Sequence, residues 1–281
     1  MTVKVQARPV LEFARPSVFV AAQQPGLALF AMGMVGMGVL GLVVGDFALQ
    51  WQPVAPWFPA RKALAYGAAL LMIACGAGLQ LRATVKWSAR ILFAYSIVWA
   101  LLKAPAIVVA WRVEGVWLGF GEIAVLMAGA WTLFARLGEG GDSWTSGERG
   151  VRWARYWFAV WLIPIGLSHI VYPEVTASYV PAWLPNRLFW GYLTGAGQIA
   201  SGLGVLFGVL PRVAAWCEAG QIVIFTLLVW APAILAAPKT RLPWTAFWIS
   251  WAIGAAAWVV AQNTVAGSWS EASQVLPERA D

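Results

Sequence analysis

The chain carries one sequence pattern twice, and this repeat limits its fold more than any other feature. The first copy is Ala-Pro-Trp-Phe-Pro-Ala-Arg at 55–61, and the second is Pro-Ala-Trp-Leu-Pro-Asn-Arg at 181–187, 126 residues later. Matches over so long a stretch predict that one unit is duplicated in tandem. The further matches, at the same spacing or one residue more, are Tyr66 with Tyr192, Gly76 with Gly202, Gly78 with Gly204, Pro105 with Pro232, Trp117 with Trp244, Phe120 with Phe247 and Trp131 with Trp258.

The composition indicates a membrane protein. The 281 residues are 61% hydrophobic and 11% charged, which leaves too few polar side chains to cover a soluble surface. Long, continuous apolar runs favour helices over barrel strands. We therefore predict an all-α integral membrane protein with eight transmembrane helices, arranged as two tandem four-helix bundles. The eight apolar stretches of spanning length are 26–45, 63–82, 88–110, 115–135, 152–171, 188–209, 214–236 and 243–262.

The repeat and the apolar stretches divide the chain into five parts. If the N-terminus is inside the cell, twelve Lys and Arg residues lie in the inner segments and six in the outer segments. This bias predicts that both termini are cytoplasmic, in the inner membrane of a prokaryote. Four spans per unit give parallel repeats, related by a pseudo-twofold axis along the membrane normal. The parts are an N-terminal segment (1–25), a first repeat (26–136), a linker (137–151), a second repeat (152–262) and a C-terminal tail (263–281).

The positive charge does not indicate a nucleic-acid partner. The net charge of +7 is dispersed over loops close to lipid head groups, where anionic lipid attracts basic residues. Cys75 and Cys217 both lie in predicted spans and belong to no Cys-x-x-Cys motif. Buried apolar thiols are one interpretation of these cysteines, and a dithiol redox centre is the other.

Aromatic residues are concentrated in the two outer connections, 46–62 and 172–187. We expect these segments to lie along the outer membrane interface, because indole rings favour the head-group layer. Trp57, Arg61, Trp183 and Arg187 are therefore candidate lipid-anchoring residues, with substrate steering as the alternative for the two arginines. The 20 tryptophans fit an interfacial belt, or else aromatic walls around a flat apolar ligand such as a quinone.

Lys103 and Glu122 are the only full charges that this prediction places well inside spans. They lie at equal depth on consecutive helices, and the matching positions of the second repeat are Trp230 and Ile249, so both charges are absent there together. One interpretation is an ion pair that stabilises the first bundle. The other is a polar site for a proton, an ion or a ligand head group.

The second repeat carries its own polar candidates. His169, the only histidine, lies near the outer end of the fifth span. It is either a structural histidine at a helix end or a group that binds a quinone carbonyl or passes a proton. Gln198 shares a helix side with Gly195 and Gly202, and it either hydrogen-bonds another helix or contacts a ligand. With Tyr192, these residues complete the candidate ligand-binding set.

The sequence lacks the motifs of a self-contained enzyme. It contains no Gly-rich phosphate loop, no Ser-His-Asp arrangement, no haem attachment motif and no histidine pair within a span. We therefore predict no metal and no catalytic activity of the chain alone.

The second repeat resembles the DoxX family of small four-helix membrane proteins. Related proteins include the DoxD-type subunit of thiosulfate:quinone oxidoreductase and the methylamine-utilisation protein MauE. The family commonly has a glutamate where this chain has Gln198, and the first repeat has Met72 there and Val44 near the histidine position. The motifs that carry the resemblance are Gly166-x-x-His169-Ile-x-x-Pro173, Val-Pro-Ala-Trp-Leu-Pro at 180–185, Gly195-x-x-Gln198-Ile-x-x-Gly202-Leu and Pro211-Arg212 followed by Ala-Ala-Trp.

This resemblance implies a membrane unit that works with redox partners. We expect an accessory or structural subunit of a respiratory or redox complex that holds quinone or lipid near the outer face and contacts other membrane proteins. The alternative is a small-molecule or ion transporter that uses Lys103, Glu122 and the cleft between the repeats. A third possibility, an oxidoreductase acting alone, requires a redox centre that the sequence does not reveal.

Overall fold

The computed structural model describes residues 24–138 and 143–264, and within these ranges it contains helices and no strand. The predicted segments 1–25 and 263–281 lie almost entirely outside the described residues. A π-helical turn, Thr226–Trp230, joins the helices Pro211–Phe225 and Ala231–Ala236, so that Pro211–Ala236 forms one rod. The helices are α1 (Pro25–Val44), α2 (Arg61–Leu79), α3 (Val85–Val109), α4 (Glu114–Leu137), α5 (Gly147–Val171), α6 (Pro173–Tyr179), α7 (Arg187–Phe207), α8 (Pro211–Phe225), α9 (Ala231–Ala236) and α10 (Arg241–Asn263).

Seven helices of the described chain are long and apolar enough to cross a membrane: α1 to α5, the α8–α9 rod and α10. They coincide with seven of the eight predicted stretches, so the prediction of an all-α membrane protein is confirmed. The stretch 188–209 forms α7, a helix of 21 residues. Its glycine, serine, threonine and glutamine residues lower its mean hydropathy, and it is not one of the seven.

The repeated Trp-x-Pro motif sets where the second helix of each half begins. The residues immediately before α2 and α7 are Ala60 and Asn186, and both have a left-handed backbone, with φ of 54° and 50°. Asparagine tolerates this conformation, whereas alanine adopts it at a cost. The Asn186 side chain also accepts a hydrogen bond from the backbone N–H of Phe189. The two copies of the motif therefore start their helices with the same backbone turn.

The repeated glycines lie where the second helix of each half crosses the first. A Cβ atom on Gly76 would lie 2.8 Å from the carbonyl oxygen of Ala31 on α1. A Cβ atom on Gly202 would lie 2.7 Å from the carbonyl oxygen of Ala159 on α5. Such distances are closer than van der Waals contact, so only glycine lets these backbones approach. The other repeated pair faces the start of the third helix in both halves, Gly78 towards Ser88 and Gly204 towards Ala214.

The helices pack in the same order in both halves. In the first half, α1 packs on α2, α2 on α3 and α3 on α4. In the second half, α5 packs on α7, α7 on α8 and α8 on α10. Between the halves, α4 packs on α5, α1 packs on α10, and α4 packs on α10. The central helices are α4 and α10, which are mostly buried, whereas α3 is mostly exposed. The first helix of each half thus rests on the fourth helix of the other.

The two outer connections differ from each other. In the first half, Phe47, Trp51 and Gln52 are buried among the helices, and the Gln52 amide donates to the Tyr95 hydroxyl. In the second half, the connection contains α6, which has no buried residue. Three side chains of the first connection therefore fill space between helices, whereas the position of both connections along the interface stays a prediction. We call Phe47, Trp51 and Gln52 the plug.

Asp46 joins the first connection to α10. Its carboxylate accepts from Arg61 at 2.6 Å and from Arg241 at 3.2 Å. Burial alone would raise the pKa of Asp46, but hydrogen bonds from the Phe47 backbone N–H, Arg241 and Arg61 outweigh burial and hold the pKa below its ordinary value of 3.8. The ionised carboxylate therefore links the two halves at neutral pH.

The linker is shorter than predicted. The predicted boundary is 137–151, but α5 already begins at Gly147. The Trp131 indole N–H donates to the carbonyl oxygen of Thr145 at 2.9 Å, and Arg136 contacts Glu148. These contacts hold the start of α5 against α4, which allows its helix to begin one turn earlier.

Substitution of Gly202 by alanine tests the helix crossing. We expect Gly202→Ala to destabilise the protein by roughly 1–3 kcal/mol, because the new methyl group meets a backbone carbonyl that cannot move without displacing α5. The matched control is Gly220→Ala on α8, where no atom lies within 4 Å of the added Cβ, and it should leave stability unchanged or increase it. Thermal unfolding in detergent, followed by circular dichroism, measures both. Equal melting temperatures for the two variants would contradict the close crossing.

Candidate functional site

Five polar side chains of the second half gather between three helices. His169 comes from α5, Thr194 and Gln198 from α7, and Glu218 and Gln221 from α8. The pairs on α7 and α8 are spaced by four and three residues, so each pair lies on one helix face. We call these five residues the polar cluster.

Close packing of α5 on α7 brings the cluster together. A Cβ atom on Gly195 would lie 2.6 Å from the His169 Cβ, and one on Gly166 would lie 2.6 Å from the Gly195 carbonyl oxygen. The predicted placement of Gln198 on the same helix side as Gly195 and Gly202 is confirmed, since all three are buried. Glycine thus removes the side-chain bulk that would keep His169 away from α7.

The outer layer of the cluster consists of His169, Thr194 and Gln221. His169 Nδ1 lies 3.0 Å from Thr194 Oγ1, and the Gln221 amide donates to the Thr194 carbonyl oxygen at 2.9 Å. The Thr194 hydroxyl donates its single proton to a carbonyl of its own helix, that of Trp190 or Gly191. We therefore assign His169 Nδ1–H as the donor to Thr194 Oγ1, a tautomer in which Nε2 of the neutral ring is an acceptor.

An aromatic ring borders this layer. The His169 ring stacks on Phe225 of α8, with 5.8 Å between the ring centroids and 24° between their planes. His169 is half-buried, so its ring lies at the edge of the protein interior. The outer layer therefore combines hydrogen-bonding groups with a flat apolar surface.

The inner layer consists of Gln198 and Glu218. Each is only 1% exposed, and the Gln198 amide nitrogen donates to Glu218 Oε1 at 3.4 Å. The other two oxygens, Gln198 Oε1 and Glu218 Oε2, are buried and have no hydrogen-bond partner. This layer therefore contains two acceptor atoms that lack a donor among the described residues.

Glu218 corrects the expectation that Lys103 and Glu122 are the only charges deep within spans. The sequence places it within the predicted stretch 214–236, four residues after the start of that stretch. In the structure α8 begins earlier, at Pro211, and α7 packs over this part of it. The signal in the sequence was a carboxylate three residues before a glutamine, inside an otherwise apolar run.

The predicted ligand-binding residues of the second half separate in the structure. His169 and Gln198 both belong to the polar cluster, in its outer and inner layers. Tyr192 is 45% exposed and points away from the cluster, on the outward face of α7. The structure therefore joins two of the three candidates.

Lys103 and Glu122 both lie where α3 packs on α4. The Lys103 ammonium donates to the carbonyl oxygen of Gly119 at 2.6 Å, one turn before Glu122 on α4. Glu122 Oε2 is buried and has no hydrogen-bond partner among the described residues. The structure thus brings the two residues to one interface, with the ammonium bonded to the backbone.

The predicted lipid-anchoring residues have different surroundings. Trp57 and Trp183 are 81% and 70% exposed, and Arg187 is also exposed. Arg61 is directed inward, where it contacts Asp46 and donates to the Val54 carbonyl oxygen at 2.7 Å. Lipid anchoring stays a prediction for the three exposed residues, whereas the contacts of Arg61 are within the protein.

Neither cysteine has a disulfide partner, and only Cys75 is buried. Cys217 is exposed on α8, so the interpretation of both as buried thiols is wrong for this residue. Within the described ranges no group of three or more His, Cys, Asp or Glu side chains is placed to hold a metal ion.

Comparison with known proteins gives one match. Residues 158–256 match the model of a family described as a domain of unknown function, DUF8561. The matched segment lies in the second half and includes all five residues of the polar cluster. No curated protein and no solved structure matches the chain.

The hydrogen bond between His169 and Thr194 can be tested by NMR, because the chain has a single histidine. In untagged protein with ¹⁵N-labelled histidine, we expect the neutral ring to carry its proton on Nδ1. Thr194→Val should shift this tautomer balance, because valine cannot accept from Nδ1–H. The matched control is Thr132→Val on α4, a buried threonine whose hydroxyl donates within its own helix, and its histidine spectrum should equal that of the wild type. An unchanged spectrum in Thr194→Val would contradict the assigned bond.

Proposed function

We propose that this chain is a non-catalytic accessory subunit of a membrane redox complex, and that its polar cluster holds the head group of a quinone. The observation that carries the proposal is the outer layer, where the His169 ring stacks on Phe225 and both His169 and the Gln221 amide bond to Thr194. A quinol hydroxyl donates to an imidazole nitrogen, and the second amide proton of Gln221 suits a carbonyl oxygen. An aromatic ring stacks well on a flat head group.

The proposed architecture has eight spans in two tandem four-helix units. The eighth span is α7, whose 21 residues extend about 31 Å, close to the thickness of the hydrocarbon core. Its polar residues Gln198 and Ser201 face other helices, which accounts for its lower hydropathy. Its outward face is apolar or aromatic, as a lipid-facing helix requires, and consists of Leu188, Phe189, Tyr192, Leu193, Leu203 and Phe207.

The repeated packing order supports a pseudo-twofold relation between the units. Under such a symmetry, a contact of the first helix in one unit with the fourth helix in the other must occur twice. Both contacts are present, α1 with α10 and α5 with α4, and the two fourth helices meet each other. We propose that the units descend from a DoxX-like ancestor and lie in the inner membrane of a prokaryote, with both termini cytoplasmic.

Quinone binding is the first test of this function. Protein purified gently from membranes should contain bound quinone, identified by solvent extraction and mass spectrometry, together with a partner polypeptide. His169→Leu should weaken the binding of a short-chain ubiquinol analogue about tenfold, because the quinol hydroxyl then has no Nε2 to donate to. This loss corresponds to about 1.4 kcal/mol for one lost hydrogen bond. The control is Lys103→Met, which alters a half-buried polar side chain in the first half and should leave affinity unchanged.

Three outcomes would contradict the proposal. Recovery of phospholipid in place of quinone would assign the outer layer to a lipid head group. Equal affinities of wild type and His169→Leu would remove the polar cluster as the site. A lone polypeptide without partner or quinone would argue against an accessory subunit.

A transporter is the second candidate, because Glu122 has a buried oxygen without a partner among the described residues, on the same helix that accepts a hydrogen bond from Lys103. The cleft between the halves is closed at Gly129 of α4, where an added Cβ would lie 2.6 Å from the Ala256 Cβ of α10. Transport along this cleft therefore requires α4 and α10 to separate. Proton and sodium flux in proteoliposomes tests the idea, and an unchanged flux in Glu122→Gln would remove Glu122 from any pathway.

A further inference from the structure

Gln198 and Glu218 form a side-chain pair whose hydrogen bonds are only half complete. The two side chains bring four polar atoms together, and the amide nitrogen of Gln198 already donates to Glu218 Oε1. The remaining atoms, Gln198 Oε1 and Glu218 Oε2, are both oxygens, and both are buried without a partner. Both oxygens are acceptors, so each of them lacks a donor.

An ionised Glu218 does not account for this arrangement. A carboxylate has only acceptor sites, so it offers nothing to Gln198 Oε1. A charged carboxylate in the membrane interior also requires a cation or several donors to offset its lost hydration. The structure gives Glu218 one long hydrogen bond from a neutral amide, and the side chain is 1% exposed.

A neutral carboxylic acid completes the pair. With a proton on Oε2, Glu218 donates to Gln198 Oε1 and accepts from the Gln198 amide nitrogen through Oε1. Each of the four atoms then has a partner, in the cyclic arrangement of an acid with an amide. Such a pair is compatible with an apolar interior because it carries no net charge and leaves no hydrogen-bonding group unmatched.

We propose that Glu218 and Gln198 form an intramembrane proton-binding site, in which the proton is held on the Glu218 carboxyl group and hydrogen-bonded to Gln198. The site is distinct from the proposed quinone contacts, which lie in the outer layer on His169 and Gln221. It does not depend on a partner protein or on bound quinone. The ligand is a proton, because both unmatched atoms are acceptors and one hydrogen on Glu218 Oε2 would give each of them a partner.

Infrared spectroscopy of the intact protein tests the site directly, because the carbonyl stretch of a neutral carboxylic acid is separate from the bands of a carboxylate. At neutral pH the wild type should show such a band, and Glu218→Gln should lose the intensity of one carboxyl group. Glutamine at this position still pairs with Gln198, so the variant is expected to fold. The control is Glu148→Gln, which removes an exposed carboxylate bound to Arg136 and should leave the band unchanged.

A second variant examines the partner while it keeps Glu218 in place. Gln198→Leu removes both hydrogen bonds to the carboxyl group, and we expect the carbonyl band to move to higher frequency without loss of intensity. This result is interpretable even if Glu218→Gln does not fold. A wild-type spectrum without the neutral-acid band, or a band that neither variant alters, would overturn the proposal.

Discussion

The fold depends on direct contact between helix backbones at glycine. In a bilayer, lipid is as apolar as the side chains, so helices associate through close packing and interhelical hydrogen bonds. Gly76 and Gly202 supply this contact, because each places the second helix of its half against a carbonyl oxygen of the first. The same principle joins the halves, where Gly129 of α4 lies against Ala256 of α10. Gly76 and Gly202 therefore produce the same helix crossing in the two halves.

The same scaffold has different interiors in the two halves. In the first half, the plug of Phe47, Trp51 and Gln52 fills space between helices, and Gln52 hydrogen-bonds Tyr95. In the second half, α6 buries no residue, and hydrogen-bonding side chains line the interface of α5, α7 and α8. One half is thus closed by aromatic packing, while the other keeps hydrogen-bonding side chains in its interior.

Local sequence predicted the helices well and the polar contacts less completely. Seven predicted apolar stretches coincide with long apolar helices, because length and hydropathy depend only on neighbouring residues. Glu218 was overlooked because it is buried by α7, and the residues next to Glu218 in the sequence do not show that α7 packs there. For the same reason the sequence did not show that Arg61 meets Asp46 and that Lys103 bonds to the Gly119 carbonyl.

The sequence by itself determined the membrane class, the helix positions and the candidate residues His169 and Gln198. These follow from apolar run length, from the repeat and from the rarity of polar groups in apolar runs. Only the tertiary structure decided which polar atoms meet. The pairing of Gln198 with Glu218 depends on the crossing of α7 with α8, and the contact of His169 with Thr194 depends on the crossing at Gly166 and Gly195. Such crossings join residues 20 or more positions apart, beyond the reach of any local pattern.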